Sequence, residues 1–355
     1  MTIDIDGAFG EGGGQILRTS LTLSAITGQP FNISNIRAHR SQPGLRPQHL
    51  TAVKATARIT RAQVDGASLS SQNLSFYPGI PHAGRYQFTI PTAGSLSLVA
   101  QTIFLPLCFA DGSSQITLTG GTHVLHSPSF HYLTELWLPC VESLGYRGLL
   151  QMHKAGFYPR GGGEVQLNVL TPNQPQPLTA LECGELTCIR GFSGVANLDE
   201  SIAKRQKHQA LRRLGPLCQD TKIKTLQLPS PGKGTFILLQ VLFDGVGWAG
   251  FSALGAPGKR AEAVADEAVE ELLSFLNTDA CLDPHLADQI LLPLALVKGT
   301  SRFTTSRITQ HLLTNAHVIQ KFLPAMITVS GTLDHPGEIA IKSEGISLIN
   351  NPRND

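Results

Sequence analysis

The chain has 355 residues, 41% of them hydrophobic and 15% charged, with a formal net charge of +2. That length exceeds one ordinary core and predicts roughly two domains, while the composition excludes long disorder. The small charge leaves a nucleic-acid partner open, because a local cationic pocket fits within a near-neutral whole.

The six cysteines show neither CxxC nor metal-ligand spacing with histidines, so reduced thiols in a cytoplasmic protein are expected. No basic-then-apolar leader opens the chain, and its apolar runs are short, so no membrane partner is expected. Residues 1–6 alternate as a strand. Gly10-Glu11-Gly12-Gly13-Gly14-Gln15-Ile16-Leu17-Arg18 then leads into a helix. Glycines let backbone approach a ligand closely, and a helix start offers N–H donors to phosphate. Glu11 could hold a divalent cation, and Arg18 could face the same anion. Taken alone, a glycine-rich turn with an exposed acid is the plainer reading. No G-x-x-x-x-G-K-[ST] pattern occurs; Gly232-Lys233-Gly234-Thr235 lacks the upstream glycine.

Arg37, His39 and Arg40, then Arg46, Gln48 and His49, bracket a Pro43-Gly44 turn. Arginine forks bind phosphate bidentately, so the cluster suits an oligophosphate or RNA site; a solvated loop is the alternative. The apolar segment 103–114 resembles 290–301, and more weakly 19–28. Each reads as a helix closed by glycine, followed by a strand (115–119, 303–308 and 31–36). Second helices are expected at 47–59, 129–144 and 311–322, and outer strands at 74–77, 164–169 and 325–329. Three such α/β units predict internal three-fold pseudo-symmetry.

The longer interval before the third unit predicts an inserted α/β domain at 185–278, with the core formed by 1–184 and 279–355. A Pro/Gln-rich linker, 171–177, precedes it. Its pattern is strand 186–190, basic helix 199–214, strands 224–228, 235–243 and 247–254, and helix 259–275. The basic helix reads as a solvated face, and the second glycine run, Gly156–Glu164, as a tight turn. In the third unit, His285-Leu286-Ala287-Asp288-Gln289 opens one helix and Gln310-His311 the next. A neutral imidazole there could attack phosphorus, although a packed or capping histidine is commoner.

Together the segments 10–19, 37–53, 94–106, 120–122, 156–163, 286–293 and 311–315 resemble the RNA 3′-terminal phosphate cyclase family, in family order over nearly the whole chain. The resemblance implies three β-α-β-α-β-β units related to the enolpyruvyl-transferase fold, with a smaller α/β insertion. It implies an ATP-dependent ligase that converts an RNA 3′-terminal phosphate to a 2′,3′-cyclic phosphate, with AMP carried on His311. On that resemblance Arg18, Arg37 and Arg40 handle phosphate. Gln101, Pro128, His285, Leu286, Ala287, Asp288, Gln289, Gln48 and His49 bind the nucleotide, and Glu11 holds Mg²⁺ or Mn²⁺. The implied partner is RNA with a 3′-terminal phosphate; a homodimer stays open. The rival is a non-catalytic cyclase-like RNA-binding protein of ribosome assembly. Two departures stand out: His285 replaces a common tyrosine, and the segment after Gly121-Thr122 is unusually rich in histidine.

Overall fold

The computed structural model describes residues 2–346, so residue 1 and residues 347–355 of the expected core lie outside it. The first unit runs β1 (Ile3–Asp6), α1 (Gln15–Thr27), β2 (Phe31–Ser34), α2 (Pro47–Thr60), β3 (Gln63–Asp65) and β4 (Leu74–Tyr77). The second runs β5 (Arg85–Thr89), α3 (Leu96–Cys108), β6 (Ser114–Gly120), α4 (Phe130–Tyr132), a π-helical turn (Leu133–Trp137), α5 (Leu138–Ser143), β7 (Arg147–Lys154) and β8 (Gly163–Leu170). After β9 (Thr179–Ala180) the chain leaves to build a separate sheet. This comprises β10 (Leu186–Ala196), α6 (Ser201–Leu214), β11 (Thr221–Gln227), β12 (Gly234–Phe243), β13 (Ala249–Leu254) and α7 (Ala261–Leu276). It returns through α8 (Pro284–Gln289), α9 (Leu291–Ala295), β14 (Lys298–Thr305), α10 (Gln310–Phe322), β15 (Met326–Gly331) and β16 (Gly337–Glu344).

Three sheets share one topology: β1-β2-β4-β3, β5-β6-β8-β7 and β9-β14-β16-β15. In each, the first two strands are parallel and the remaining pairings antiparallel. The expected three α/β units are therefore present as a structural repeat, interrupted within the third by the β11-β10-β12-β13 sheet. β12 reads as a nearly continuous apolar run because both its faces are covered. Phe236 and Leu238 join the large core, while Ile237, Leu239 and Val241 pack with α6 and α7 residues in a second cluster.

Local chemistry explains where the helices stop. Gly28 caps α1 at φ 70, the left-handed conformation a glycine adopts without strain. The other two expected glycine caps are absent: α3 stops at Phe109, ahead of Gly112, and Gly299 lies inside β14. There the ladder Lys298↔Glu344 through Thr305↔Gly337 recruits residues 298–302, so the strand starts five residues earlier than expected. The single helix expected from 285 divides at Ile290, and Pro293, which cannot donate an N–H, sits in the first turn of α9. Pro139 similarly leaves the Glu135 carbonyl without its helical donor. Gln240 of β12 donates to that carbonyl at 2.9 Å, pinning the inserted sheet to the core beside the π turn.

Candidate active site

The loop between β1 and α1 lies along α10, with Phe9 stacked on His317 at 3.9 Å between ring centroids. A Cβ at Gly10 would collide with Thr314 Oγ1, so this residue type lets the loop close on the helix. Glu11 is thereby brought to His311: its Oε2 lies 2.6 Å from His311 Nε2, and its Oε1 meets Arg40. His311 occupies the first turn of α10, whose Thr309 cap accepts a hydrogen bond from the Leu312 amide at 3.1 Å. Its Nδ1 is buried without a hydrogen-bond partner among the described residues. Burial lowers the His311 pKa; Asp288 pushes it up, and Arg18 and Arg40 push it down. The ring is therefore neutral near pH 7.

Asn315 lies one turn further on the same face of α10. Its Oδ1 accepts from Thr19 Oγ1 at 2.6 Å, and its Nδ2 donates to the Asp288 carbonyl at 3.0 Å, tying α1, α8 and α10 together. Burial raises the Asp288 carboxyl to about 6, against the opposing pull of His311, His285 and Arg18. Burial also lowers the Arg18 guanidinium to about 10, which leaves it charged at neutral pH. Among the described residues Arg18 has no ion-pair partner, so its charge is available to an anion. Arg37 is held by the loop carbonyls of Gln42, at 2.6 Å, and Gly44, at 3.3 Å.

Elsewhere in the lining, Gln48 Oε1 accepts from the Ser95 amide at 2.9 Å, and Gln101 Nε2 donates to Gln289 Oε1 at 2.6 Å. His49 Nδ1 accepts from the Arg46 amide at 3.2 Å. Burial, with the arginines 18, 37 and 46, drives the His49 pKa down to about 3, so this ring is a neutral fixture. Its Nε2 edge occupies the place a Gly14 Cβ would take, which explains glycine there.

These groups enclose a cleft of about 680 Å³. Glu11, Arg18, Arg37, Arg40, Gln48, His49, Gln101, Pro128, His285, Asp288, Gln289 and His311 all line it. Leu286 and Ala287 do not. Their side chains are fully buried in the apolar core, so within the segment 285–289 they face inward on α8 while His285, Asp288 and Gln289 line the cleft. The histidine-rich segment also resolves into structure. His123 Nε2 and His131 Nδ1 are 2.9 Å apart, with Thr122 Oγ1 2.7 Å from His123 Nδ1, all buried against Phe157, Phe192 and Phe236. On the basic helix α6, Lys204, Arg205 and Arg213 are ion-paired with Glu200, Glu262, Asp266 and Glu270, three of these acids on α7.

Three contributors escaped the sequence reading. Asn315 carried a usable signal, the i, i+4 spacing from His311. Asp283, followed by Pro284, is a helix-start pair: it caps α8 and accepts from Tyr132 Oη and the Gly250 amide. Tyr132, which lines the cleft, carried no local signal, because only tertiary packing brings it to Asp283.

Residues 9–329 match a family model described as RNA 3′-terminal phosphate cyclase. The chain is 42% identical over 337 residues to a protein of that name from Nostoc punctiforme, covering 92% of this chain and 96% of the relative. It is 44% identical over 333 residues to one from Methylococcus capsulatus, covering 92% of each. A third, from Methanopyrus kandleri, is 41% identical over 350 residues, covering 97% and 99%. Among solved structures it shows a slight likeness to the enolpyruvyl transferase NikO from Streptomyces tendae. There the TM-score is 0.28, with 17% identity over 48% of this chain and 33% of that one.

Proposed function

The chain belongs to the RNA 3′-terminal phosphate cyclase family, enzymes of the ligase type, and from that premise we propose that it uses ATP to convert an RNA 3′-terminal phosphate into a 2′,3′-cyclic phosphate, with AMP carried transiently on His311. The observation that carries this reading is the pose of His311. Its Nδ1 is shut away, and its Nε2 meets Glu11 at the wall of the cleft that Arg18, without an ion-pair partner among the described residues, also lines.

In this pose Nε2–H donates to Glu11. In the first step Glu11 moves aside, the ring takes the tautomer protonated on Nδ1, and the freed Nε2 lone pair attacks the α-phosphorus of ATP, so that a phosphoramidate forms and pyrophosphate leaves. In the second, an oxygen of the RNA 3′-phosphate attacks that phosphorus. The N–P bond breaks, His311 is regenerated, and an RNA-(3′)pp(5′)A end results. In the third, the adjacent 2′-hydroxyl attacks the 3′-phosphorus, loses its proton and expels AMP. Activation is needed because an unactivated phosphate monoester would have to expel an oxide, a poor leaving group. Ring closure is intramolecular, so proximity supplies roughly 7–11 kcal/mol of the barrier reduction.

Arg18, Arg37 and Arg40 supply the positive charge that phosphates require as negative charge builds. Gln101, Pro128, His285, Asp288 and Gln289 form the nucleotide wall, with Gln48 and His49 beside the phosphates. No cluster of three or more ligating side chains occurs among the described residues. An all-protein metal cage therefore does not fit among the described residues, whereas Glu11, a carboxylate lining the cleft, would be the residue to hold Mg²⁺ or Mn²⁺. Such an ion, when bound, would neutralise phosphate charge. Glu11 would then exchange its contact with Arg40, freeing that guanidinium for the substrate. Within the same reading, residues 1–184 and 279–355 form the catalytic core and 185–278 an inserted domain; the separate sheet and its own apolar cluster support that division. The non-catalytic RNA-binding alternative has no use for a histidine held at the cleft wall.

The test is direct. With ATP and Mg²⁺, a 3′-phosphorylated RNA should become resistant to phosphatase, and His311→Asn should abolish the conversion. Undiminished cyclisation by that variant would refute the mechanism.

A further inference from the structure

Tyr158 is the most exposed of the large apolar and aromatic side chains among the described residues, at 78%. Its backbone is anchored on both sides. Phe157 is buried and stacked on His123 at 5.1 Å, and the Gly161 amide donates to the Phe157 carbonyl at 2.7 Å. The Ala155 amide donates to the Pro229 carbonyl at 2.8 Å, and Arg160 Nη1 donates to the Pro231 carbonyl at 2.7 Å. The turn at 157–161 is thereby fastened to the loop joining β11 and β12 of the inserted sheet, and that loop brings in the exposed Lys233. Neither Arg160 nor Lys233 is ion-paired among the described residues, whereas Lys154 at the end of β7 stands opposite Glu164 on β8.

The platform is continuous with the cleft. A Cβ at Gly161 would stand 2.8 Å from Ala93 Cα, so the turn packs directly on residues 92–93. One residue on, Gly94 packs on Gln48, whose Oε1 accepts from the Ser95 amide at the cleft wall. An exposed aromatic ring on an anchored turn, beside two cations without ion-pair partners among the described residues, is a combination suited to single-stranded nucleic acid: the ring stacks a base and the cations meet phosphates.

We infer that Tyr158, with Arg160 and Lys233, forms a docking platform for the single-stranded RNA upstream of its 3′ end, one base stacked on the Tyr158 ring. The inference rests on the reading of the cleft as an RNA-end site, and it gives the inserted sheet a role in gripping substrate.

The experiment measures binding and turnover of a 3′-phosphorylated oligoribonucleotide of about ten residues, within the usual range of single-strand sites, beside a nucleoside 3′-phosphate too short to reach the platform. Tyr158→Leu should weaken the oligonucleotide about five- to tenfold in Kd and KM, leave kcat unchanged, and leave the short substrate unaffected; Tyr158→Phe should keep full affinity. The Arg160→Ala, Lys233→Ala double variant should flatten the salt dependence of oligonucleotide binding. Wild-type affinity in Tyr158→Leu, or equal weakening toward both substrates, would overturn the platform. Self-labelling by α-labelled ATP, run in parallel on the wild-type protein, tests the underlying function: its absence there defeats the cyclase reading whatever Tyr158 does.

Discussion

An imidazole attacks phosphorus only through an unprotonated nitrogen, so the groups around His311 set the pH range of the first step. Burial and the arginines 18 and 40 favour the neutral ring, and Asp288 opposes them. Self-adenylylation should therefore keep its plateau below pH 6.5, the ordinary histidine value, before falling with acid. Asp288 carries the opposite burden. Its folded pKa of about 6 lies above the usual carboxylate value of 3.8, so its ionisation costs stability as pH rises through that window, and the cost is complete above about 6. Asp288→Asn should thus be more stable than wild type at pH 7, by about 1–3 kcal/mol, and no more stable at pH 4. Its adenylylation plateau should extend further into acid, because the group that favours imidazolium has gone. Thermal melts at the two pH values check the first claim; a variant less stable at pH 7 would contradict it. Most of these side chains were legible in the sequence, as helix-start and loop residues of chemistry-bearing type. The pairing of Glu11 with His311 was not, because it joins positions three hundred residues apart through the contact between the first loop and α10.

At the level of elements, the glycine loop is shaped by what it must admit. Gly14 has an ordinary backbone conformation, φ −75, so its requirement is steric: a methyl group would strike the buried His49 ring and approach Arg18 Nη1 at 3.1 Å. Gly14→Ala should cost about 1–3 kcal/mol through overpacking and lower the rate of AMP transfer, because Arg18 and His49 are displaced together. Unchanged kinetics in that variant would show that the cleft tolerates the shift. The same level shows what sequence periodicity conveys and what it omits. Amphipathic helices such as α2, α6 and α10 were readable to within about two residues at each end. The short edge strands β3, β5 and β9 were not, since two to five residues with mixed polarity carry little pattern and are defined by their partners. The early start of β14 and the π turn have the same origin: a neighbour's ladder, or a neighbour's amide donor, overrides local preference.

Across the whole molecule, the inserted sheet is joined to the core through buried polar links rather than apolar contact alone. Asp283 gathers donors from α8, Tyr132 and Gly250, and the His123–His131 pair lies between the glycine-run turn and the inserted strands. Burial holds both histidines neutral, His131 with a pKa of about 4 and His123 also well below its ordinary value. A depressed histidine pKa means the unfolded chain takes up protons first. The contribution is intact above about pH 6.5 and is lost as pH falls toward 4. Between pH 7 and 5 His131 alone should account for about 1–2 kcal/mol of lost stability. In His131→Gln the acid-dependent fall in Tm should shrink, whereas an equal fall would place the sensitivity elsewhere. The internal repeat and the insertion could be read from sequence because similar apolar segments recur at unequal intervals. The junction could not, since neither a buried histidine pair nor a capping aspartate announces its distant partners.

The central claim is that the cleft-facing nitrogen of His311 takes up AMP. Digestion and tandem mass spectrometry of the full-length protein after incubation with ATP and Mg²⁺, kept at neutral or alkaline pH to preserve a phosphoramidate, tests it most directly. The predicted result is a single AMP adduct on His311, discharged when 3′-phosphorylated RNA is added. An adduct on a lysine or on another histidine, with His311 unmodified, would contradict it.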